Sequence, residues 1–381
     1  MNLTWSEEQL ALKRSTLEFA TSALSTDVVA DDRSGTFPRE RWQRCADFGI
    51  LGLPMPEEYG GSGEGLLTTM LAMETLGSVC RDNGLLFALN AQMWAVQTPI
   101  LRFGSPEQRT SFLPRLIGGE IIGAHAITEP GAGSDAFAMT TTAARRGAEY
   151  VLTGTKTFVS NAPVADLFLV FARSDKTRGF LGISAFLIEK GHAGLRVGPA
   201  IEKMGLRTAP YAEVILDECV LPASARLGNE GNGGTIFRHS MGWERSGILA
   251  SHVGAMQRQL DSCVEYARTR EQFGKPIGKN QSVASMLVEM KLRLETSRLL
   301  LYRAGWLRDG GEEAEQEVAL AKLHLSESFV QSSLQAIQIH GGTGYSTESG
   351  IERDLRDALG GRIYSGTSEI QREIIARTLG L

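Results

Sequence analysis

Apolar residues recur at helical spacing through the first third of the chain. Ser6 is followed three residues later by Gln9, a capping box that opens an amphipathic run through Phe19. Further helices are predicted over residues 39–48, 66–80 and 106–117, with glycine-rich breaks such as Tyr59-Gly60-Gly61-Ser62-Gly63 between them. Near residue 121 the pattern changes. Short β-type runs at 150–153, 166–172, 184–188 and 213–216, separated by Gly, Pro and Asn, predict a small sheet domain, a barrel or sandwich. From about residue 233 helical stripes return. Leu287, Met290, Leu294 and Leu301 share one face, and Leu323, Val330, Leu334 and Ile337 share another. With a third helix over 244–268 they predict a four-helix bundle with these stripes as its core. The expected fold is therefore α+β: an N-terminal helical domain (1–120), a middle β domain (121–232) and a C-terminal helical bundle (233–381).

Composition narrows the field. A chain of 381 residues is too long for one ordinary core, and 42% hydrophobic with 22% charged residues is globular. A net charge of -5 tells against a nucleic-acid partner. Cys45, Cys80, Cys219 and Cys263 lie far apart with no CxxC pair, so four free thiols are expected, with no disulfide framework and no metal. The opening MNLTWSEEQLALKR has no basic-then-apolar leader, and the longest apolar run, 167–172, is too short for a bilayer. A cytoplasmic location and no membrane partner are the expectation.

Five segments can carry chemistry. Ile127-Thr-Glu-Pro-Gly-Ala-Gly-Ser-Asp135 places two glycines between the hydroxyls of Thr128 and Ser134, which suits close backbone approach to a ligand and equally suits a polar loop. Lys156-Thr-Phe-Val-Ser-Asn161 pairs an aromatic ring, Phe158, with the hydroxyl of Ser160; alone it reads as well as a strand end. In Arg268-Thr-Arg-Glu-Gln-Phe-Gly-Lys-Pro, Arg270 and Phe273 could grip a phosphate and stack on a base, or simply end a charged helix. Gln338-Ile-His-Gly-Gly-Thr-Gly-Tyr345 again permits close approach, and His340 reads better as a structural histidine than a catalytic one. Gly366 in Tyr364-Ser-Gly-Thr-Ser368 makes a turn, and Thr367 or Ser368 caps the last helix, whose N-terminus favours an anion.

In this order the five segments resemble the acyl-CoA dehydrogenase family over essentially the whole chain. The resemblance implies FAD bound between subunits of a homotetramer or dimer. Thr128, Ser134, Phe158 and Ser160 would then surround the isoalloxazine, Arg270, Phe273 and Gln281 would meet the dinucleotide, and Thr367 would lie near it. Gln338 and Gly342 would reach across from a neighbouring subunit.

One departure matters. Many members carry Tyr-Glu-Gly-Thr before the last helix, with that Glu as base; here the turn reads Tyr364-Ser365-Gly366-Thr367. Other members place the base at the start of the C-terminal bundle, and the matching residue is Glu244 in Gly242-Trp-Glu-Arg245. Without the resemblance Glu244 would read as a salt-bridged surface residue. With it, Glu244 is the expected base, taking the α-proton of an acyl thioester as the β-hydride passes to flavin N5, while the N–H of residue 365 and a ribityl hydroxyl bind the thioester oxygen. The pairing of Glu244 with Ser365 is similar to a subgroup that oxidises L-proline on a peptidyl carrier protein to a pyrrole-2-carboxyl thioester. The implied substrate is an acyl or aminoacyl thioester on a phosphopantetheine arm, of a carrier protein or of CoA, with an electron-transfer flavoprotein or O2 as acceptor. A short or branched-chain acyl-CoA dehydrogenase, an oxidase, and a catalytically silent flavoprotein are the competing readings.

Overall fold

A computed structural model describes residues 4–381. The first helix, α1 (Glu7–Ala23), starts at the expected capping box: Ser6 Oγ accepts from Gln9 N at 3.2 Å and Gln9 Oε1 accepts from Ser6 N at 3.0 Å. After it come α2 (Val29–Ser34), α3 (Arg39–Asp47), α4 (Leu66–Val79), α5 (Asn83–Ala91), a π-helical segment (Gln92–Gln97), α6 (Thr98–Phe103) and α7 (Pro106–Ile117). The π segment carries two buried glutamines into the interior: Gln92 bonds Leu116 O and Gly123 N, and Gln97 bonds Leu51 O.

The strands are β1 (Gly123–Ala126), β2 (Thr142–Arg146), β3 (Glu149–Ser160), β4 (Leu167–Arg173), β5 (Ile183–Glu189), β6 (Leu195–Val197), β7 (Tyr211–Pro222) and β8 (Arg226–Leu227). They run in the order β6-β7-β3-β2-β4-β5-β8, with β1 parallel to β4. β2 and β4 meet through the pair Thr142–Arg173, and Tyr150, Leu152, Phe168, Phe186 and Val214 fill the space between the two halves. β4 and β5 are apolar over most of their length because both their faces are covered: Phe168 and Val170 face that core, and Leu169 and Phe171 pack with Ile100, Leu113 and Ile236.

The remaining helices are α8 (Gly233–Gly247), α9 (Ala250–Thr269), α10 (Gln281–Asp309), α11 (Glu315–His340), α12 (Gly342–Tyr345), α13 (Ile351–Gly361) and α14 (Ser368–Thr378), with a hairpin of β9 (Glu271–Gln272) and β10 (Lys275–Pro276) after α9. α4 is buried nearly all round, which is why its sequence is apolar rather than amphipathic. It crosses α9 at two glycines. A Cβ on Gly77 would come 2.0 Å from Ser251 O, and one on Gly254 would come 2.0 Å from Glu74 O, so neither position admits a side chain.

Two expectations need correction. The single helix predicted over 244–268 is broken at residues 248–249: α8 ends at Gly247, whose missing side chain makes room for the Trp94 indole, 2.5 Å from an ideal Cβ. Glu244 therefore sits in the last turn of α8. Leu334 was expected in the core stripe of α11 but is exposed; the buried face is carried by Leu325, Phe329, Val330 and Ala336. On α10, Met290, Leu294 and Leu301 are buried as expected. All four cysteines are free and buried. Among the described residues no helix is long and apolar enough to cross a membrane, and none of the His, Cys, Asp and Glu side chains cluster as a metal site.

Candidate active site

The last turn of α8 and the turn before α14 meet. Ser365 Oγ donates to Glu244 Oε1 at 2.5 Å, and Arg245 Nε donates to Ser365 O at 3.0 Å. Lys322 on α11 donates to Gly366 O at 2.7 Å, and Gln371 Nε2 donates to the same oxygen at 2.9 Å. Ser365 and Gly366 both have positive φ, +56° and +87°, a conformation glycine takes freely and serine does not. Tyr364 is wedged between Phe87, with ring centroids 4.7 Å apart, and His252, with Oη 3.4 Å from Nε2.

Glu244 is 8% exposed. Burial pushes its carboxyl above the ordinary glutamate value, and the Ser365 hydroxyl, Arg245 and Lys322 pull the other way without cancelling it. The result is a shielded carboxylate with one lone pair committed to a serine hydroxyl and a proton affinity above that of a surface glutamate. That is what proton abstraction from carbon requires. Ser365 thus donates its hydroxyl proton to a buried carboxylate.

A second group lies on the middle domain. The loop after β1 is fastened to β3: Thr157 N donates to Thr128 O at 2.8 Å, and Lys156 Nζ donates to Ile127 O at 3.1 Å and Glu129 Oε1 at 2.7 Å. Glu129 also accepts from Thr140 N, Thr140 Oγ1 and Thr141 N. Burial pushes the Glu129 carboxyl up, but Lys156 and the threonines hold it down at about 2. Beside this fastening, β3 bulges between Lys156 and Val159, and Phe158 takes φ +54° so that its ring turns outward, edge-on to Tyr211 at 5.6 Å and 58% exposed. Thr128 and Ser160 are half-buried on either side, and a Cβ at Gly131 or Gly133 would meet nothing within 4 Å. An outward aromatic ring, hydroxyls at its border and open space above two glycines fit a flat, polar-edged cofactor such as a flavin.

The other expected residues lie on the bundle. Arg270 ends α9, Phe273 sits at the tip of the β9–β10 hairpin with φ +53° and 97% exposure, and Gln281 begins α10. Gln338, near the end of α11, and Gly342, the first residue of α12, are exposed. Thr367 caps α14, its side chain accepting from Ile370 N at 3.3 Å. Each set holds together, but Phe273 stands in solvent and the sets do not close into one pocket within the chain. His340 is a core residue: its ring stacks on Tyr266 at 4.4 Å and its Nδ1 lies 2.8 Å from Ala336 O.

Sequence reasoning missed three contributors. Glu129 and Lys156 stood inside quoted motifs, yet nothing in the sequence pairs residues 27 apart across a loop. Lys322 had one available signal, a cation between Ala321 and Leu325 on the buried side of α11.

The chain is similar to known proteins over its whole length. The models for the N-terminal, middle and C-terminal domains of acyl-CoA dehydrogenase match residues 6–120, 124–219 and 231–380. The chain is 46% identical over 355 residues to an L-prolyl-[peptidyl-carrier protein] dehydrogenase of Pseudomonas fluorescens, covering 93% of each chain. Among solved structures it superposes with a TM-score of 0.97 on the prolyl acyl carrier protein oxidase AnaB (47% identity, 99% of this chain and 100% of that one). It gives the same score with PigA bound to FAD and proline (44% identity, 100% of both chains).

Proposed function

The chain belongs to the acyl-CoA dehydrogenase family, and we propose that it is an FAD-dependent dehydrogenase that oxidises L-proline held as a thioester on a carrier protein, leading to a pyrrole-2-carboxyl thioester. The observation that carries the catalytic assignment is the buried Glu244 carboxylate bonded to the Ser365 hydroxyl at 2.5 Å. It places a carboxylate at the turn where relatives with a glutamate at position 365 would hold theirs. The substrate assignment is supported by the relatives named for prolyl carrier proteins, which this chain matches nearly end to end.

In the reaction the thioester carbonyl acidifies the proline α-proton. Glu244 takes that proton, the electron pair left on Cα becomes the new Cα–Cβ bond, and the β-hydride departs. FAD, when bound, would supply the acceptor for that hydride, and reaching the pyrrole takes a second two-electron oxidation after the flavin has been reoxidised. Ser365 favours the ionised form of Glu244, and the N–H groups of Ser365 and Gly366, which bond no other group among the described residues, are available to the thioester oxygen as charge develops there. By resemblance to the family, Thr128, Ser134, Phe158 and Ser160 would meet the flavin ring and Arg270, Phe273, Gln281 and Thr367 the dinucleotide, with Gln338 and Gly342 contributed to a neighbouring subunit's cofactor; the outward Phe158 ring between the half-buried Thr128 and Ser160 supports the first set.

A homotetramer or dimer follows from that last assignment. It is supported by an apolar stripe of Val288, Leu292 and Leu299 exposed on α10, accompanied by Leu334 on α11. Four reduced cysteines suit a cytoplasmic location. A relative described as an oxidase favours O2 as acceptor over an electron-transfer flavoprotein. Stoichiometric peroxide without an added acceptor would establish that reading, and its absence would assign the electron-transfer partner.

The catalytic assignment is tested with Glu244→Gln. The variant should bind FAD normally but bleach it at least ~100-fold more slowly on anaerobic mixing with the prolyl thioester, the low end of what a general base contributes. Bleaching at the wild-type rate would remove Glu244 from the mechanism.

A further inference from the structure

We propose that Lys322 is a positioning residue for the dehydrogenation: together with Arg245 it clamps two successive carbonyl groups of the 364–367 turn, so that the Ser365 hydroxyl meets Glu244 and the adjoining N–H groups stay turned toward substrate. This rests on Glu244 being the base.

A lysine of 1% exposure in the middle of a helix is costly unless its ammonium does something, because a buried cation must be compensated. Among the described residues no carboxylate is bonded to Lys322. Its hydrogen bond, of 2.7 Å, goes to Gly366 O. Arg245, the residue after the base, takes the preceding carbonyl, Ser365 O, at 3.0 Å. Both carbonyls of the left-handed pair are therefore held by cations, from α11 on one side and α8 on the other, while no group among the described residues accepts from the N–H of Ser365 or Gly366. Holding Ser365 O fixes the peptide plane that carries the Gly366 N–H, and a hydrogen bond to a carbonyl polarises the N–H of its own peptide, so Arg245 strengthens that donor. Lys322 fixes the next plane, between Gly366 and Thr367, and so pins the turn from its other side. The turn is anchored again at its far end, where Ser368 Oγ and Arg362 Nε both donate to Glu327 Oε1, one turn along α11 from Lys322.

The charged groups around the ammonium are Glu244 and Arg245 on α8, Glu327 on α11 itself and Glu369 on α14. Lys322 is thus one of the cations that favour the ionised form of Glu244. Removing it should do two things: loosen the turn, and make Glu244 harder to ionise.

The test uses the FAD-loaded enzyme and compares Lys322→Met, Lys322→Arg and Glu244→Gln with wild type by anaerobic flavin bleaching across pH, with FAD content and thermal midpoint recorded for each. Lys322→Met should slow bleaching about tenfold or more, with the loss in the maximal rate rather than in the substrate concentration for half-maximal rate, and should move the acid limb of the profile to higher pH. Lys322→Arg, which keeps a cation but not its fit, should lose rate while leaving the limb in place. If Lys322→Met does not fold, the arginine variant decides: a displaced limb overturns the clamp, and an unmoved limb with a lower plateau supports it. Wild-type rate and limb in Lys322→Met, beside a silent Glu244→Gln, would refute the clamp and leave the base standing. Normal bleaching by Glu244→Gln would instead remove the reading on which the clamp depends.

Discussion

Replacing Ser365 with alanine isolates what the unusual serine does. The substitution leaves the backbone and Glu244 in place but removes the 2.5 Å hydroxyl-to-carboxylate bond. Hydrogen bonds to a charged group are worth about 1.5–3 kcal/mol, and Glu244 is too buried for water to replace the lost donor fully. The whole of that energy favours the ionised form, because a protonated carboxyl gains far less from a donor. At about 1.4 kcal/mol per pH unit, the acid limb of the bleaching rate should move about one to two pH units higher. Burial already holds Glu244 above an ordinary glutamate, so the displacement adds to an upward shift and falls where it can be measured. Well above the limb, Ser365→Ala should bleach at a rate near wild type, since the remaining carboxylate is a slightly stronger base. Stopped-flow absorbance of the anaerobic enzyme from acid to neutral pH measures both quantities. A limb that stays put or moves to lower pH would refute the view that Ser365 acts on Glu244, and a plateau lost at every pH would make Ser365 part of the chemistry itself.

Two further perturbations reach the scaffold around the site. Lys156→Met strands the Glu129 carboxylate in the interior without its cation, which should cost about 3–5 kcal/mol; chemical denaturation measures it, and a loss under 1 kcal/mol would mean the threonines alone satisfy Glu129. Trp94→Ala deletes a fully buried indole that stacks on Trp243 at 6.0 Å and bonds Asn90 Oδ1, so stability should fall by about 3–5 kcal/mol, with unchanged stability contradicting the packing described for α8.

Much of the architecture was legible because local signals and global fold agree. The Ser6–Gln9 box, the helical periods and the short β runs each answer to one element, and Glu244 was reachable because Ser365 left a vacancy in a familiar motif. What escaped depends on contacts between distant segments. The break at 248–249 follows Gly247, whose missing side chain accommodates Trp94, more than 150 residues earlier, and a single glycine within an otherwise helical run does not announce it. Leu334 looked like core because its spacing fits the stripe, whereas helix α11 turns that face outward. Lys156, Glu129 and Lys322 are charged residues inside the protein, and sequence patterns score charge as surface. Only the three-dimensional partners explain them.

Anaerobic flavin absorbance on mixing with L-prolyl carrier protein, beside butyryl-CoA and isovaleryl-CoA, decides which thioester the enzyme oxidises. Rapid bleaching by the prolyl thioester alone is the predicted result. Bleaching by a CoA ester but not by the prolyl carrier protein would contradict the assigned substrate.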